Sequence, residues 1–521
     1  MKVQDVNTTD IRAAVELGCR TMQSVFNADD SGFPFFKSVV LPRAYMAFHD
    51  VHGESHVPGR HLNGLLSAEH ALGIKVAESA VAKHTRAAMF SYGGPLPLPL
   101  NRDSVGGPLA NFTEHNVREG FHALYALARF RHSKWAVDTA EHSIEAILTL
   151  WDPERGWDNG AFRKADVRWT RDHTFITGIG RAIGPLVKYF SATGYGPALD
   201  LALLLKEKAV TDFFRPDGAY DRQRFGTHTH STTCVMSSLA QLADLTNDAP
   251  LMERVRAFYD NGLWKMRDEL GWVIENSAEA SNPDRGEGNN TGDVVETALL
   301  LGKWGHTKYY HDVERILRGH LLPSQLRDVS FVKDPVNPKS EDGLHNVRTR
   351  HLGAFGFPAP YGHSPLGLTE VSFNMDIVGG VVGSLCEAYA AATQSSAVAH
   401  KVNLLFEHET AAVKVSQLPS NGGVEVVVKK PGALWVRIPP WASVVRVAEA
   451  GAGRRWRITG GYLLMPDPPL RQPICLHYEE VPSEIVLKHR TRDIRVSLSG
   501  DRIIGMDNFG ADLTFFDPVS G

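Results

Sequence analysis

The spacing of apolar residues predicts a chain that begins as helix and ends as strand. Up to about residue 393, apolar side chains recur at intervals of three and four residues, which is the period of an amphipathic helix. Phe121, Leu124, Tyr125 and Ala128 form one such face. The segments that follow this pattern are 8–25, 59–72, 75–90, 115–131, 134–150, 173–192, 196–213, 229–245, 250–267, 292–304, 308–320 and 376–393.

The predicted helices pair as hairpins around short polar or glycine turns near Gly73, His132, Thr193, Thr246 and Gly305. Neither end of the helical part carries a polar capping repeat, so the first and last hairpins must bury each other. Six hairpins that close in this way form a ring. The sequence therefore predicts an (α/α)6 toroid.

Beyond about residue 400 the apolar period changes to two, as in Gly423–Val428 and Ala433–Ile438. We expect an antiparallel β-sandwich there, and hence an α+β multidomain protein. The segment at about 322–370 is poor in helix signals and rich in Pro, Gly and His. Because long loops in compact domains are usually functional, we expect a lid. The predicted domains are 1–395, with this insertion, and 396–521.

Composition limits the partners. Lys and Arg number 55 against 59 Asp and Glu, a formal net charge of -4 without a basic block, which argues against nucleic acid. The sequence has neither an apolar run long enough to span a membrane nor a secretory signal, so we expect a cytoplasmic protein without a membrane partner. A homodimer is compatible with the sequence. Four widely spaced cysteines, Cys19, Cys234, Cys386 and Cys475, predict buried thiols.

Loops at one end of a helical ring surround a funnel, which makes their polar and aromatic residues candidates for ligand binding. His228 and His230 open a helix, but the sequence places no acidic third ligand near them, so binding of a polar ligand is favoured over zinc. Asp172 could instead cap a helix. The residues predicted to bind substrate are Arg60, Trp157, Asp172, His173, His228, His230, His363 and Glu370.

The segment 272–293 is a strongly acidic loop. Its carboxylates are Glu275, Glu279, Asp284, Glu287 and Asp293. Hydrolysis of a glycosidic bond needs a protonated carboxyl for the leaving group and a second group that attacks or activates water. The loop could supply both, although a solvent-exposed acidic loop would have the same composition.

The order of several short motifs along the chain resembles the bacterial β-L-arabinofuranosidase family. The matching segments are Val57–Leu62, His228–His230, Val294–Leu301 and Ala433–Ala442. The resemblance implies an (α/α)6 barrel joined to β-sandwich domains, and glycoside hydrolysis.

The zinc site of that family is not matched. The family binds zinc through one glutamate and three cysteines, one of which is the nucleophile. This chain has Asn290 and Gly292 at the first pair of positions, and Phe373 and Asn374 at the paired cysteines. The resemblance therefore implies neither zinc nor thiolate catalysis here. The family's general acid lies in a Gly-Glu-Ala context, best matched by Glu279.

We therefore expect a glycoside hydrolase that releases a terminal sugar from an oligosaccharide or glycoside, without metal or cofactor. Glu279 is the predicted general acid, Asp293 the base and Glu275 the reserve acid. A polysaccharide lyase using His228 and Tyr361, a sugar epimerase, and an inactive sugar-binding relative are the alternatives.

Overall fold

A computed structural model describes residues 1–172, 174–418 and 422–519. Twelve helices of nine or more residues occur in these ranges. They are α1 Ile11–Met22, α2 Gly53–Leu72, α3 Glu78–Ser91, α4 Val117–Arg131, α5 Lys134–Leu150, α6 Ile183–Thr193, α7 Gly196–Asp212, α8 Thr229–Thr246, α9 Ala249–Asp260, α10 Gly288–Lys303, α11 Lys308–Ile316 and α12 Met375–Ala391.

The even-numbered helices form a closed inner ring. Along the ring α2 contacts α4, and the contacts continue through α6, α8 and α10 to α12, which returns to α2. The odd-numbered helices pack outside: α3, α5, α7, α9 and α11 each contact the preceding inner helix, and α1 contacts α12. The predicted (α/α)6 toroid is therefore confirmed, and its first and last hairpins bury each other as expected.

Three inner helices begin at residues that the sequence pattern did not predict. Helix α2 begins at Gly53 rather than 59, α6 at Ile183 rather than 173, and α10 at Gly288 rather than 292. The first turns of α2 and α10 are buried although they are polar, as His56 and Asn290 illustrate. Polar residues that face the ring axis do not produce an amphipathic pattern, so helical periodicity does not reveal them.

Short strands lie among the helices, and longer strands follow them. The first group is β1 Phe26–Asn27, β2 Phe33–Pro34, β3 Lys37–Leu41, β4 Tyr45–Ala47, β5 Leu100–Arg102, β6 Leu109–Thr113, β7 Trp151–Asp152, β8 Gly156–Trp157, β9 Arg168–Thr170 and β10 Val371–Asn374. The second group is β11 Thr393–Ser395, β12 Ala399–Val402, β13 His408–Glu409, β14 Val413–Gln417, β15 Gly423–Val428, β16 Ala433–Arg437, β17 Val445–Glu449, β18 Arg457–Thr459, β19 Tyr462–Met465, β20 Pro473–Tyr478, β21 Pro482–Lys488, β22 Asp493–Ser499 and β23 Arg502–Met506.

Two five-stranded sheets form the C-terminal sandwich. Their strand orders are β11-β12-β16-β19-β18 and β13-β14-β15-β20-β17. Val415 and Val426 of one sheet share a core with Val436 and Leu463 of the other. The predicted β-sandwich is therefore confirmed, except that β12 pairs with β16 in parallel. Strands β21, β22 and β23 form a third sheet, whose core includes Leu270 and Tyr361 from the helical part.

A buried ion pair joins the sandwich to the ring. Glu314 of α11 pairs with Arg437 of β16, and both side chains are buried. The predicted domain boundary at residues 395 and 396 falls at the end of β11 and stays a prediction. In the described part of the chain, no helix combines the length and apolarity needed to cross a membrane.

Candidate active site

A cavity of about 230 Å³ lies where the N-terminal ends of several inner helices converge. Its lining residues are Phe36, His49, His52, His56, Arg60, His115, His228, His230, Glu275, Glu287, Phe357, Asn374, Asp376 and Ile377. The volume is below the roughly 300–1,000 Å³ of drug-sized ligand pockets, which favours a small polar ligand.

Histidines form one wall of this cavity. The His56 and His115 rings are stacked with centroids 5.7 Å apart, and His228 lies 5.4 Å from His115. Nδ1 of His115 lies 2.9 Å from the carbonyl oxygen of Thr177. Burial lowers the pKa of His115 and His230, and lowers that of His228 to about 3. These imidazoles are therefore neutral at pH 7 and can hydrogen-bond a polar ligand without adding charge.

A buried charge network supports this wall. Arg60 donates to Glu119 at 3.0 Å, and its Nε lies 3.4 Å from Oδ2 of Asp376. Nε2 of His56 lies 3.2 Å from the same Asp376 oxygen. Burial alone would raise the pKa of Asp376, but the Arg60 guanidinium and the hydrogen bond with His56 lower it to about 2. Asp376 therefore presents an ionised carboxylate to the cavity at neutral pH.

A close packing contact positions Arg60 in this network. Gly59, the preceding residue in α2, packs so tightly on the backbone of Glu119 in α4 that a Cβ atom would overlap the Glu119 carbonyl oxygen. The glycine lets the two helices approach, and the approach brings Arg60 to the Glu119 carboxylate. The requirement for a small residue there is steric, because Gly59 lies within regular helix.

Glu287, His230 and Asp293 form a second group, of which Glu287 and His230 line the cavity. Nδ1 of His230 lies 3.6 Å from Oε1 of Glu287, and its Nε2 lies 3.5 Å from Oδ2 of Asp293. Asp293 also accepts a hydrogen bond from Thr233 at 2.9 Å. Burial raises the pKa of Glu287 and of Asp293 to about 7 each. The sequence predicted Asp293 as the base that activates water. Asp293 does not line the cavity, so the structure does not place it for that role.

The acidic loop contributes Glu275, and not Glu279, to the cavity. The Glu275 backbone N–H donates to the Arg285 carbonyl oxygen at 2.9 Å, and its carboxylate pairs with the Arg285 guanidinium at 3.1 Å. The Glu279 side chain is 86% exposed and pairs with Arg222 at 3.0 Å. The assignment of Glu279 as general acid is therefore corrected, because its carboxylate points to solvent at the loop tip.

Trp157 and Asp172 support the site from outside the cavity. Nε1 of Trp157 donates to Glu114 at 3.0 Å, and the indole is buried against Phe112. Asp172 accepts a hydrogen bond from the backbone N–H of His115 at 2.9 Å. Burial, with a contribution from Glu114, raises the pKa of Asp172 to about 7. Both residues hold the His115 turn rather than facing the cavity, and His173 lies outside the described residues.

The insertion reaches the cavity through Phe357. It is fastened to the start of α10, since the backbone N–H groups of Gly286 and Gly288 donate to Pro358 and Gly356. His363 is buried against Phe515 and does not line the cavity, and neither does Glu370. Tyr361, the residue proposed for a lyase, is also buried and donates a hydrogen bond to Asp284.

The zinc set implied by the family resemblance does not fit these residues. The Asn290 amide donates to Thr229 Oγ1 and to the Ile274 carbonyl oxygen, so its nitrogen is already used. A Cβ on Gly292 would lie 2.6 Å from Ser384 Oγ. Phe373 is a buried ring. The four positions therefore offer neither a carboxylate nor a thiolate, and we derive no step through that zinc.

Another set of donors is present. His228, His230 and Glu287 each offer a ligand atom, and these atoms lie within 4.8 Å of one another. The expectation of no metal ligands was based in part on the missing acidic partner for the two histidines. Glu287 supplies that partner from the start of α10, and folding brings it to the histidines across about 60 residues of sequence.

Sequence reasoning missed Asp376, Glu119 and the role of Glu287. Asp376 stands in the first turn of α12, two residues after Asn374, the second of the positions compared with the family's paired cysteines. An acidic residue in the first turn of an inner helix is a usable signal, because such turns face the mouth of a toroid. His52 and His56, at the N-cap and in the first turn of α2, also line the cavity.

No protein-family model and no curated protein matches the chain, whereas solved structures do. A GH127 β-arabinofuranosidase aligns with a TM-score of 0.59 and 14% identity over 94% of this chain and 79% of that one. A GH127 β-L-arabinofuranosidase from Geobacillus stearothermophilus T6 aligns with a TM-score of 0.54 and 13% identity, over 96% of this chain and 86% of that one. A sugar epimerase from a ruminal bacterium aligns with a TM-score of 0.51 and 11% identity, over 73% of this chain and 99% of that one.

These likenesses define the fold class. The chain has the arabinofuranosidase-like glycoside hydrolase fold, in which a helical barrel is followed by β domains. The resemblance inferred from sequence is thereby confirmed for the fold, in a divergent chain. What the site does is a separate question.

Proposed function

We propose that the protein is a glycoside hydrolase that releases a terminal sugar from an oligosaccharide or glycoside by carboxylate acid–base catalysis. One observation carries this proposal: Glu275 and Asp376 line the same cavity from different elements, the loop before α10 and the first turn of α12. Hydrolysis of a glycosidic bond needs two such groups.

The two carboxylates differ in their surroundings, which suits different roles. Asp376 is held ionised by Arg60 and His56, so it is the group that attacks the anomeric carbon or stabilises positive charge there. The Glu275 side chain is 29% exposed and borders solvent, where a leaving group departs and where a proton can be taken up again. We assign proton donation to Glu275. Proton donation by Glu275 does not require a metal.

The remaining lining residues suit a neutral sugar. The imidazoles of His115 and His228 can hydrogen-bond hydroxyl groups, and Phe36 and Phe357 offer rings for stacking. Arg60 is already paired with two carboxylates, so it leaves little uncompensated positive charge for a uronic acid. This balance favours a glycosidase over a polysaccharide lyase.

The test is a panel of aryl glycosides and reducing oligosaccharides that covers pentoses, hexoses and uronic acids, with products followed by proton NMR. The expected result is release of one terminal sugar, and the NMR spectrum also gives the anomer formed first. An unsaturated product that absorbs in the ultraviolet would identify a lyase. An isomerised sugar would identify an epimerase, and saturable binding without turnover would identify an inactive relative.

A further inference from the structure

We propose that His228, His230 and Glu287 form a binding site for a divalent transition-metal ion of the zinc type. Two imidazoles and one carboxylate, with a fourth position left open, are a donor set that zinc uses in catalytic sites. The inference goes beyond the proposed function, because a cation here would lie beside Glu275 and Asp376 and would replace neither.

The distance between His230 and Glu287 is the first argument. Nδ1 of His230 and Oε1 of Glu287 are 3.6 Å apart. A hydrogen bond between nitrogen and oxygen spans about 2.7–3.2 Å. Two ligands that each lie about 2.1 Å from a tetrahedral ion are about 3.4 Å apart. The pair is thus too far apart for a direct hydrogen bond and close to the separation that a shared ion imposes.

The surrounding contacts leave the right atoms for coordination. Nδ1 of His228 lies 2.8 Å from Ser231 Oγ, so Nε2 is the atom that can bind the ion. Nε2 of His230 is buried, has no hydrogen-bond partner among the residues that the structure describes, and lies 3.5 Å from Asp293. A metal on Nδ1 would fix the tautomer that donates from Nε2 toward this carboxylate. Such a carboxylate behind a ligating histidine is a common feature of zinc sites.

The protein backbone holds the three ligands together without the ion. His228 precedes α8 and Glu287 precedes α10. The Thr229 N–H donates to the Glu275 carbonyl oxygen at 3.2 Å, and the Asn290 amide donates to Thr229 Oγ1 at 2.9 Å. These bonds tie the two helix starts to each other. All three side chains line the cavity, and their ligand atoms lie within 4.8 Å of one another, so a cation that enters the cavity can reach each of them.

The charge around the site can accept a cation. Four carboxylates, Glu119, Glu287, Asp293 and Asp376, lie among three guanidiniums, those of Arg60, Arg118 and Arg181. Arg60, Arg118 and Arg181 all pair with Glu119, and Arg60 also pairs with Asp376. Among the described residues Glu287 forms no ion pair with a guanidinium; its Oε1 accepts a hydrogen bond from the Asn289 amide at 2.9 Å and lies 3.6 Å from Nδ1 of His230. It is therefore the carboxylate on which a metal ion can act as the missing counter-charge.

The test measures binding of the metal alone, on the full chain with any affinity tag of histidines removed. Protein freed of metal by a chelator is titrated with Zn²⁺ in competition with a chromophoric chelator, and separately with Co²⁺. We expect one equivalent of each ion, and visible absorption bands of the Co²⁺ complex that indicate nitrogen and oxygen ligands. Glu287→Gln and His228→Ala should each weaken Zn²⁺ binding by at least about 100-fold.

His115→Ala is the matched control, because it removes another histidine of the same wall that is outside the donor set. It should keep its Zn²⁺ affinity within a few-fold of the wild type. Circular dichroism and thermal unfolding verify that each variant folds. The Co²⁺ spectrum of the wild-type protein tests the ligand set without relying on any variant. Absence of stoichiometric binding by the wild-type chain, or equal affinities in all variants, would overturn the proposal. Neither result depends on hydrolase activity, so the two proposals fail separately.

Discussion

The Arg285 guanidinium lies 3.1 Å from Oε2 of Glu275 and 3.9 Å from the centroid of the Phe357 ring. This arrangement fixes a carboxylate of the acidic loop at the cavity opening and places the insertion over it. Glu279, four residues along the same loop, pairs instead with the exposed Arg222. The structure thus places Glu275, the reserve acid of the sequence analysis, at the cavity, and Glu279, its first choice, at the surface.

The first prediction compares these two residues in matched variants. Glu275→Gln keeps the size of the side chain but cannot donate a proton, so it should lower turnover by roughly 10² to 10⁴. Sugar binding should change little. Glu279→Gln is the control and should keep wild-type turnover, because its carboxylate is at the surface. The measurement is kcat and the dissociation constant for the substrate found in the panel. A large loss of turnover in Glu279→Gln, together with wild-type turnover in Glu275→Gln, would assign proton donation to Glu279 instead.

The second prediction concerns Asp376. Asp376→Asn removes the charge that the proposed mechanism places at the anomeric carbon, and it leaves a side chain of the same shape beside Arg60 and His56. Turnover should fall by at least about 10². Isothermal titration with the sugar product should still detect binding, which separates a catalytic loss from a collapsed cavity. Turnover within a few-fold of wild type would exclude Asp376 as a reacting group.

The third prediction concerns the thiols. Cys19, Cys234, Cys386 and Cys475 are all buried. Burial raises the pKa of each of them, that of Cys19 to about 12, so the reactive thiolate is scarce at neutral pH. Iodoacetamide should therefore leave activity intact and add no mass to the native protein. The same reagent in denaturant should add four adducts, which is the control. Rapid loss of activity with one adduct on the native chain would indicate a catalytic cysteine.

The fold was largely predictable from the sequence because its signals are repetitive. Each helix buries an apolar face in the packing between the inner and outer rings. The 3.6-residue period therefore predicted all twelve helices, although three of the inner helices begin at other residues than predicted. The starts of α2 and α10 were missed because their residues, such as His56 and Asn290, are polar and yet buried along the axis. The sequence pattern of a buried polar turn does not differ from that of a loop.

The candidate site was predictable only as a region. Two carboxylates of the acidic loop, Glu275 and Glu287, line the cavity, and the role of the loop in the reaction stays a prediction. Which loop carboxylates face inward depends on partners distant in sequence, such as Arg222 for Glu279 and His230 for Glu287. Asp376 comes from another helix altogether. No local pattern contains those pairings.

The last prediction tests buried charge away from the cavity. Asp268 is 3% exposed, and its Oδ1 accepts hydrogen bonds from the backbone N–H groups of Leu270 and Trp272. Burial raises its pKa from 3.8 to about 7, with a smaller contribution from Glu269. Between about pH 4 and 7 the folded protein therefore holds this proton more tightly than the unfolded chain does. The contribution of Asp268 to the free energy of unfolding must fall as the pH rises through that window.

Asp268→Asn isolates this effect, because the amide keeps the accepting oxygen and cannot ionise. At pH 5 the variant should be as stable as the wild type or slightly less stable. At pH 8 the wild type carries a buried charge. The free energy of unfolding of the variant should therefore exceed that of the wild type by up to a few kcal/mol, at about 1.4 kcal/mol for each unit of pKa difference. Denaturant unfolding at the two pH values measures the change. A variant-to-wild-type difference that is the same at both pH values would show that Asp268 is ionised in the folded protein throughout.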